Sequence, residues 1–357
     1  MNKMILKSEA VYVDNVENYN WFDNIDLSLG ERQRRYLGSG YKKVGYKITD
    51  IKFNIPEKTV AATASVFYPE DWSQKSGEAR KDFHLSTIDI LLLSCRIGEV
   101  ILSCGWGLSA QELQSSRVLR VEMDLGREPT TQLQDLRFAV KYCGSTCREN
   151  IPHLSISKFE VRIGKAIANI QIEHPASKNS DPFSALSDKM LPLALNIAND
   201  TNGKYYGDGY QTREIEHTDL LVNKKENAIS CFLRIREENK KSGTAAPQRE
   251  FRGMGGAMPE AVEVLDLMLS SAQLSQIMIY SFDNIERDKT RNLWMTSFSV
   301  YCNDCMSGIG SLLPATLKVK NSKLVSIKGK QFRITYVEYN IIGTNEVGAR
   351  GRFVLEI

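Results

Sequence analysis

Apolar residues crowd one stretch of the chain, Ile88 to Cys104, where they occupy most positions and leave Asp89, Arg96 and Glu99 as the charged exceptions. A helix apolar on nearly all sides has to be buried on nearly all sides. The stretch is too short and too charged to span a bilayer. Elsewhere the pattern is alternating or β-branched, as in strands. Before the helix such runs cover Ile51–Ile55 and Thr59–Tyr68. After it they cover Leu119–Leu125, Leu136–Tyr142, Ser155–Ile163 and Ala166–Ile172. The same succession returns later as Leu220–Val222, Ala228–Ile235, a second apolar helix through Asp266–Ser271, then Leu293–Tyr301, Ala315–Val319, Leu324–Ile327 and Gln331–Ile341.

The recurrence is a duplication. Tyr36-Leu-Gly-Ser-Gly-Tyr41 matches Tyr205-Tyr-Gly-Asp-Gly-Tyr210, and at the same offset Thr49-Asp50 matches Thr218-Asp219. Asp89-Ile-Leu-Leu-Leu-Ser94 then matches Asp266-Leu-Met-Leu-Ser-Ser271, Glu99 falls on Gln276, and Arg117-Val-Leu119 on Arg291-Asn-Leu293. The offset changes only across loops, where folded duplications tolerate insertions. Such a long repeat means two domains and not a solenoid. The reading divides the chain at 180/181: an N-terminal arm and first unit over 1–180, a linker helix near Phe183–Ile197 and the second unit over 181–357. One buried helix among antiparallel strands predicts an α+β double hot-dog, each sheet wrapping its helix and the two sheets joining at an edge. Two open α+β sandwiches are the alternative. Glycines beside lysine at Gly164-Lys165 and Lys328-Gly329 predict hairpin turns.

Composition narrows the function. The net charge is +3 with Lys plus Arg 46 against Asp plus Glu 43, and no concentrated basic face argues for a nucleic-acid partner. Arg32–Arg35 and Lys240–Lys241 read as solvated surface. The first fifteen residues lack the apolar core of a signal peptide. Seven cysteines, an odd number, fit reduced thiols, so a cytoplasmic protein without a membrane partner is expected. Cys302-Asn-Asp-Cys305 and Cys143/Cys147 do not make a convincing zinc set. No dinucleotide fingerprint, P-loop or serine-nucleophile elbow occurs.

In a hot-dog unit the free N–H groups at the start of the central helix can hold a thioester carbonyl or oxyanion. Before the first helix stands His84, one of four histidines and a candidate general base; a hydrogen-bonded loop histidine is the plain alternative. Ser86-Thr-Ile-Asp89 fits a capping box. With Pro259 taken as the first helical position, Asp266 lies too deep in its helix to cap. Asp89 and Asp266 are therefore catalytic candidates, or buried structural carboxylates. Glu99 and Arg96 could reach the other unit's site or pair structurally. The glycine-rich segment with Gly255 and Gly256 allows close backbone approach to a ligand. The loop from Asn239 to Gly256 is long enough for a lid. Tyr41 and Tyr210, in the twin Gly-x-Gly-Tyr turns, could flank a pocket or shape the following strands.

Ser8-Glu-Ala-Val-Tyr-Val-Asp-Asn15, Arg35-Tyr-Leu-Gly-Ser-Gly-Tyr41 and His84-Leu-Ser-Thr-Ile-Asp89 resemble the avirulence protein D (AvrD) family over most of the chain. The resemblance implies syringolide biosynthesis: a 3-oxoacyl thioester and a small ketose such as xylulose joined into an acyl-sugar lactone. The co-substrate would be an acyl carrier protein or coenzyme A thioester, with no other cofactor. The chain would be a monomeric pseudo-dimer or a homodimer. The pattern also resembles fatty-acid and polyketide dehydratase domains, with His84 and Asp266 at their histidine and acid. Where that motif has a glycine and then a proline after the histidine, this chain has Ile88 and no proline, and Ser270 replaces the Gln or His that follows the acid. A dehydratase, hydratase or thioesterase, and a non-catalytic binding module or effector, are the other readings.

Overall fold

The computed structural model describes residues 3–6, 9–12, 18–74, 83–126, 128–148, 151–177, 179, 181–237, 251–287, 290 and 293–357, with side chains from residue 18 onward. Lys240–Lys241, most of the loop read as a lid, Lys81-Asp82, Arg291-Asn292 and parts of Ser8–Asn15 lie outside the described residues.

In chain order, β1 (Lys3–Leu6) and β2 (Glu9–Tyr12) pair only with each other. Next come β3 (Tyr19–Asn24), α1 (Asp26–Leu29), β4 (Gly45–Asn54), β5 (Thr59–Phe67), α2 (Thr87–Val100), α3 (Ala110–Ser115), β6 (Arg117–Asp124), β7 (Leu136–Arg148), β8 (Ile151–Ile163) and β9 (Ala166–Pro175). After α4 (Leu191–Asn199) follow β10 (Arg213–Asn223), β11 (Ala228–Glu237), α5 (Val264–Phe282), β12 (Leu293–Cys302), β13 (Leu313–Ile327), β14 (Lys330–Ile341) and β15 (Val347–Glu356).

From β3 on, all strands join one 13-stranded antiparallel sheet. Outward from the central β6–β12 pair, one side runs β9, β8, β7, β5, β4 and the other β15, β14, β13, β11, β10. These are the same walk through equivalent elements, so the sequence repeat is a repeat of topology. At the junction Val300 faces Val121 and Phe298 faces Met123. β3 lies before the first copy in sequence but pairs with β10 at the far edge of the second.

The strands alternate because one face covers the helices. Val60, Ala62, Ala64 and Val66 of β5 are buried while the residues between them are not. α2 is buried at every position from Ile88 to Val100 and ends in a π turn, Ile101–Gly105. α4 helps to enclose the first copy: the Asn199 amide donates to Ile48 O (2.9 Å) and accepts from Ile48 N (2.9 Å), fastening α4 to β4. In the twin turns a Cβ on Gly38 or Gly207 would lie 2.3 Å from a backbone oxygen, of Arg32 and Thr201 respectively. Beyond them Tyr41 stacks on Tyr210 at 6.1 Å, both buried.

Several boundaries differ from expectation. β4 and β10 begin well before the β-branched runs. Ala315–Val319 and Leu324–Ile327 are one strand, β13, whose register shifts between Val319 and Asn321. A bulge interrupts alternation without ending a strand. β15 was not anticipated because Gly348, Gly351 and two arginines, Arg350 and Arg352, dilute its β character. Gly351 is nonetheless fitted to its place: a Cβ there would meet the Phe353 ring at 2.7 Å.

Candidate functional site

The start of α2 is capped as its sequence predicts. Ser86 Oγ accepts from Asp89 N (3.1 Å), and an Asp89 carboxylate oxygen accepts from Ser86 N (2.7 Å). Helix geometry leaves the first-turn N–H groups of Thr87 and Ile88 outside the helical ladder. Beside this turn lies a cavity of about 140 Å³. His84, Leu85, Ser86 and Thr87 form one wall, and Ala272, Gln276 and Tyr280 of α5 stand among its other lining residues. Tyr36, Tyr68, Trp72 and Trp294 make it aromatic, and Arg35 and Arg287 also line it. Both copies therefore contribute.

The aromatic wall is a packed cluster. Trp72 meets Tyr36 at 5.2 Å and Tyr68 at 5.1 Å, both edge-on. His84 is half-buried, with its ring 5.5 Å from Trp294 and 6.2 Å from Trp72. Its carbonyl accepts from Tyr68 OH (3.1 Å). The Tyr68 hydroxyl also donates to Asp89, Tyr46 OH donates to Asp89 at 2.7 Å, and Tyr36 OH and Ser86 Oγ share a hydrogen bond of 2.6 Å. Burial pushes the Asp89 carboxyl up, while the Tyr68, Ser86 and Tyr46 hydrogen bonds pull it down. Burial, then the nearby Asp89, hold the Tyr36, Tyr46 and Tyr68 hydroxyls well above the ordinary phenol value. They therefore remain protonated and can donate hydrogen bonds. Asp89 does not line the cavity; it sits one hydrogen bond behind it, holding Tyr68 and the helix cap in place.

The equivalent position at the start of α5 is filled by the chain itself. α5 begins at Val264, not at Pro259, which corrects the expectation for Asp266: it is the third helical residue and it does cap, accepting from Glu263 N at 2.9 Å. Residues 259–263 form turn and extended backbone instead, with Ala261 bridged to Ser307. Asp266 is 2% exposed and pairs with Arg213 at 2.6 Å. Glu99, 2% exposed, pairs with Lys204 at 2.8 Å and accepts from Met254 N at 2.8 Å. Gly253, at φ +67°, packs so closely that a Cβ would sit 2.4 Å from the Glu99 carboxylate. Gly255 donates its N–H to Ser116 O (2.6 Å) and packs against Tyr205, and Gly256 lies against the Phe251 carbonyl. Arg96 lies over the Tyr46 ring at 5.1 Å.

Thus the structure brings His84 to the cavity wall and Asp89 just behind it. Asp266, Glu99, Arg96, Gly255, Gly256, Tyr41 and Tyr210 do not line it. Cys302 is buried and Cys305 exposed, and among the described residues no group of three or more His, Cys, Asp or Glu side chains could hold a metal. Sequence reasoning did not single out Tyr36, Tyr68, Trp72, Gln276, Arg287 or Trp294 for the site, and it took Arg35 for solvated surface, whereas Arg35 is buried. One signal was available: Gln276 occupies the repeat position of Glu99, and that difference marks which helix start is open and which is plugged.

Glu263 offers a pH test of the plugged side. Burial pushes its carboxyl up to about 7 from 4.5, against the pull of Arg213. Between those values the folded chain holds a proton that the unfolded chain has released. Stability should therefore fall as pH rises from 4.5 to about 7. Denaturant melts across that window should show a shallower fall for Glu263→Gln, and an unchanged slope would remove Glu263 as the cause.

The fold and cavity define a class: a duplicated antiparallel-sheet protein with one buried helix per copy and one open helix start lined from both copies. By sequence, the family model of the Pseudomonas avirulence D protein (AvrD) matches residues 20–348, and the chain belongs to that family. A search of curated protein sequences returns no match. Among solved structures it is similar to an acyl-CoA thioesterase II, TesB2, of Mycobacterium marinum (8% identity, 86% of this chain and 96% of that one, TM-score 0.34). A conserved hot-dog-fold protein of Alicyclobacillus acidocaldarius gives 7% identity, 86% and 96% coverage and a TM-score of 0.35. A tesB protein of Mycobacterium avium subspecies paratuberculosis gives 9%, 86% and 95%, and 0.33. No helix among the described residues is long and apolar enough to cross a membrane.

Proposed function

We propose that the chain is a double hot-dog enzyme, with units over 1–180 and 181–357, that transfers a 3-oxoacyl group from a thioester to a hydroxyl of a small ketose. The carrier is coenzyme A or an acyl carrier protein, and the product is a syringolide-type acyl-sugar that can close to a lactone. The observation that carries this reading is the placing of His84 and the first turn of α2 in one aromatic-walled cavity. His84 removes the hydroxyl proton as the oxygen attacks the thioester carbonyl. The carbonyl oxygen becomes an oxyanion, held by the first-turn N–H groups of α2. The C–S bond then breaks, and the leaving thiolate takes the proton back from His84. Tyr68 and Asp89 fix the segment that carries His84.

Mass spectrometry of the purified protein with a 3-oxoacyl thioester, with and without xylulose, tests this. A new acyl-sugar or lactone mass only when both substrates are present is the expected result. Thiol release without sugar would replace transfer by hydrolysis. One observation favours that second reading: Gln276 in the same cavity is an amide able to hold a water.

A further inference from the structure

The long hairpin β13–β14 departs from its counterpart in the first copy, β7–β8. Both hold the same cross-strand pair, Lys318 opposite Glu338 and Lys141 opposite Glu160. From that pair to the tip, β7–β8 has Arg148, Lys158 and an acid, Glu149. Over the same stretch β13–β14 has Lys320, Lys323, Lys328, Lys330 and Arg333, with no Asp or Glu. Its lysines from Lys318 to Lys330 are all exposed. Lys320 pairs with Glu338 (2.5 Å), Lys330 with Glu356 (2.9 Å) and Arg333 with Asp283. Lys318, Lys323 and Lys328 form no ion pair among the described residues. Leu324 (51% exposed) and Ile327 (52%) stand between these bases. The net charge of +3 hides the ridge, because acids elsewhere in the chain cancel it in the sum.

The register places this ridge beside the open helix start. Leu293, Met295 and Phe353 line the cavity. Leu293 lies opposite Leu355 and Met295 opposite Phe353, and across the other edge of β15 those residues face Arg333 and Thr335 of β14. β14 is thus two strands from β12, roughly 10 Å, and the hairpin runs on past the level of the cavity to its tip at Lys328-Gly329. Strand alternation puts Lys323, Val325 and Ile327, with their partners Ile334, Phe332 and Lys330, on the face that carries Tyr336. That face continues into a groove of about 730 Å³, where Lys320, Arg350 and Arg352 stand with Glu122, Asp124 and Glu338. The charges of the groove balance, so the groove supplies shape and the hairpin supplies the field.

We propose that this hairpin docks an acidic acyl carrier protein, so that the donor reaching the cavity is a carrier-protein thioester and not coenzyme A. The inference rests on the acyl-transfer reading for what the partner carries, but not for the docking itself. The ten residues from Lys318 to Lys328 span roughly 33 Å of strand. Bases spread over that length match an extended acidic surface and not the compact phosphates of one cofactor. A helix of the partner fills the groove while its carboxylates meet the lysines, which fixes orientation and speeds encounter. An anionic bilayer is flat on this scale and would leave the groove empty.

Two measurements on the full chain test this. The first is kcat/KM with xylulose and one 3-oxoacyl group presented on acyl carrier protein, on coenzyme A and on N-acetylcysteamine. A variant combining Lys323→Glu, Lys328→Glu and Lys330→Glu should lose about tenfold or more with the carrier protein, through KM, and keep its rate with N-acetylcysteamine. All three side chains are exposed, which spares the fold; Lys323→Gln with Lys328→Gln is the milder second variant. An unchanged kcat/KM with the carrier protein would overturn the docking while leaving acyl transfer intact. So would a matching loss with coenzyme A, which would put the cofactor's phosphates on the lysines, or with N-acetylcysteamine, which would mean damage to the cavity itself. The second measurement is calorimetric titration with apo-acyl carrier protein. Binding that weakens with added salt and is lost in the triple variant supports the docking even where no transfer is found. Absence of binding overturns it, as does capture by phosphatidylglycerol vesicles through the same lysines with no affinity for the carrier protein, which would make the hairpin a membrane contact.

Discussion

Replacing His84 by alanine is expected to lower the rate of acyl transfer about a hundredfold or more, the usual contribution of a positioned general base. His84 is the candidate base that both lines the cavity and adjoins the free first turn of α2. Its ring packs against Trp294 and Trp72, so the alanine variant leaves a gap of imidazole shape between two indoles. Added imidazole should therefore restore part of the rate, which a merely structural histidine would not allow. Thermal melts of the variant control for loss of packing. A rate within threefold of the unaltered protein would take His84 out of the proton transfer. The hydrogen-bonded pair of Tyr36 and Ser86 would then be the next groups to replace, since both line the same cavity.

The duplication was legible because it left marks where chemistry permits few substitutes. The paired glycines of the twin turns sit against backbone oxygens, and no side chain fits there. The apolar helices were legible because a helix buried on every side needs apolar residues on every side. β3 and β15 were not. β3 is a six-residue edge strand drawn from an arm, and its place is fixed by pairing with β10 more than by its own pattern. The cavity was half legible. The start of α2 can be read locally, through Ser86 and Asp89 at capping spacing. Its aromatic and cationic walls come from turn, loop, α5 and β12 residues far apart in the chain, and only the fold brings Arg35, Trp72, Gln276 and Trp294 together. Asp266 shows the converse. Reading Pro259 as a helix start made a capping residue look too deep to cap, because the chain spends residues 259–263 on turns that deliver carbonyls to Arg213.

That arrangement sets up the second large effect. Arg213 is 2% exposed and donates to Pro259 O (3.0 Å), Ala261 O (2.8 Å) and Asp266 (2.6 Å), with its guanidinium over the Tyr205 ring. Asp266→Ala removes the countercharge and leaves a guanidinium buried with only neutral acceptors among these partners. The loss should be about 3–5 kcal/mol of folding stability. About 1 kcal/mol more is expected from the lost cap on α5. Denaturant unfolding measures the sum. Arg213→Met combined with Asp266→Ala should be less destabilised than Asp266→Ala alone, because it removes the stranded charge together with its partner. A double variant as unstable as the single one would mean that the damage comes from the lost cap and not from the charge. Activity separates the structural role from a catalytic one. Asp266 does not line the cavity, so Asp266→Asn, assayed below its melting temperature, should keep the acyl-transfer rate while losing stability. An Asp266→Asn protein that melts normally but turns over a hundredfold more slowly would instead put this carboxylate in the chemistry, and the site would then have to extend past Gln276 to the start of α5.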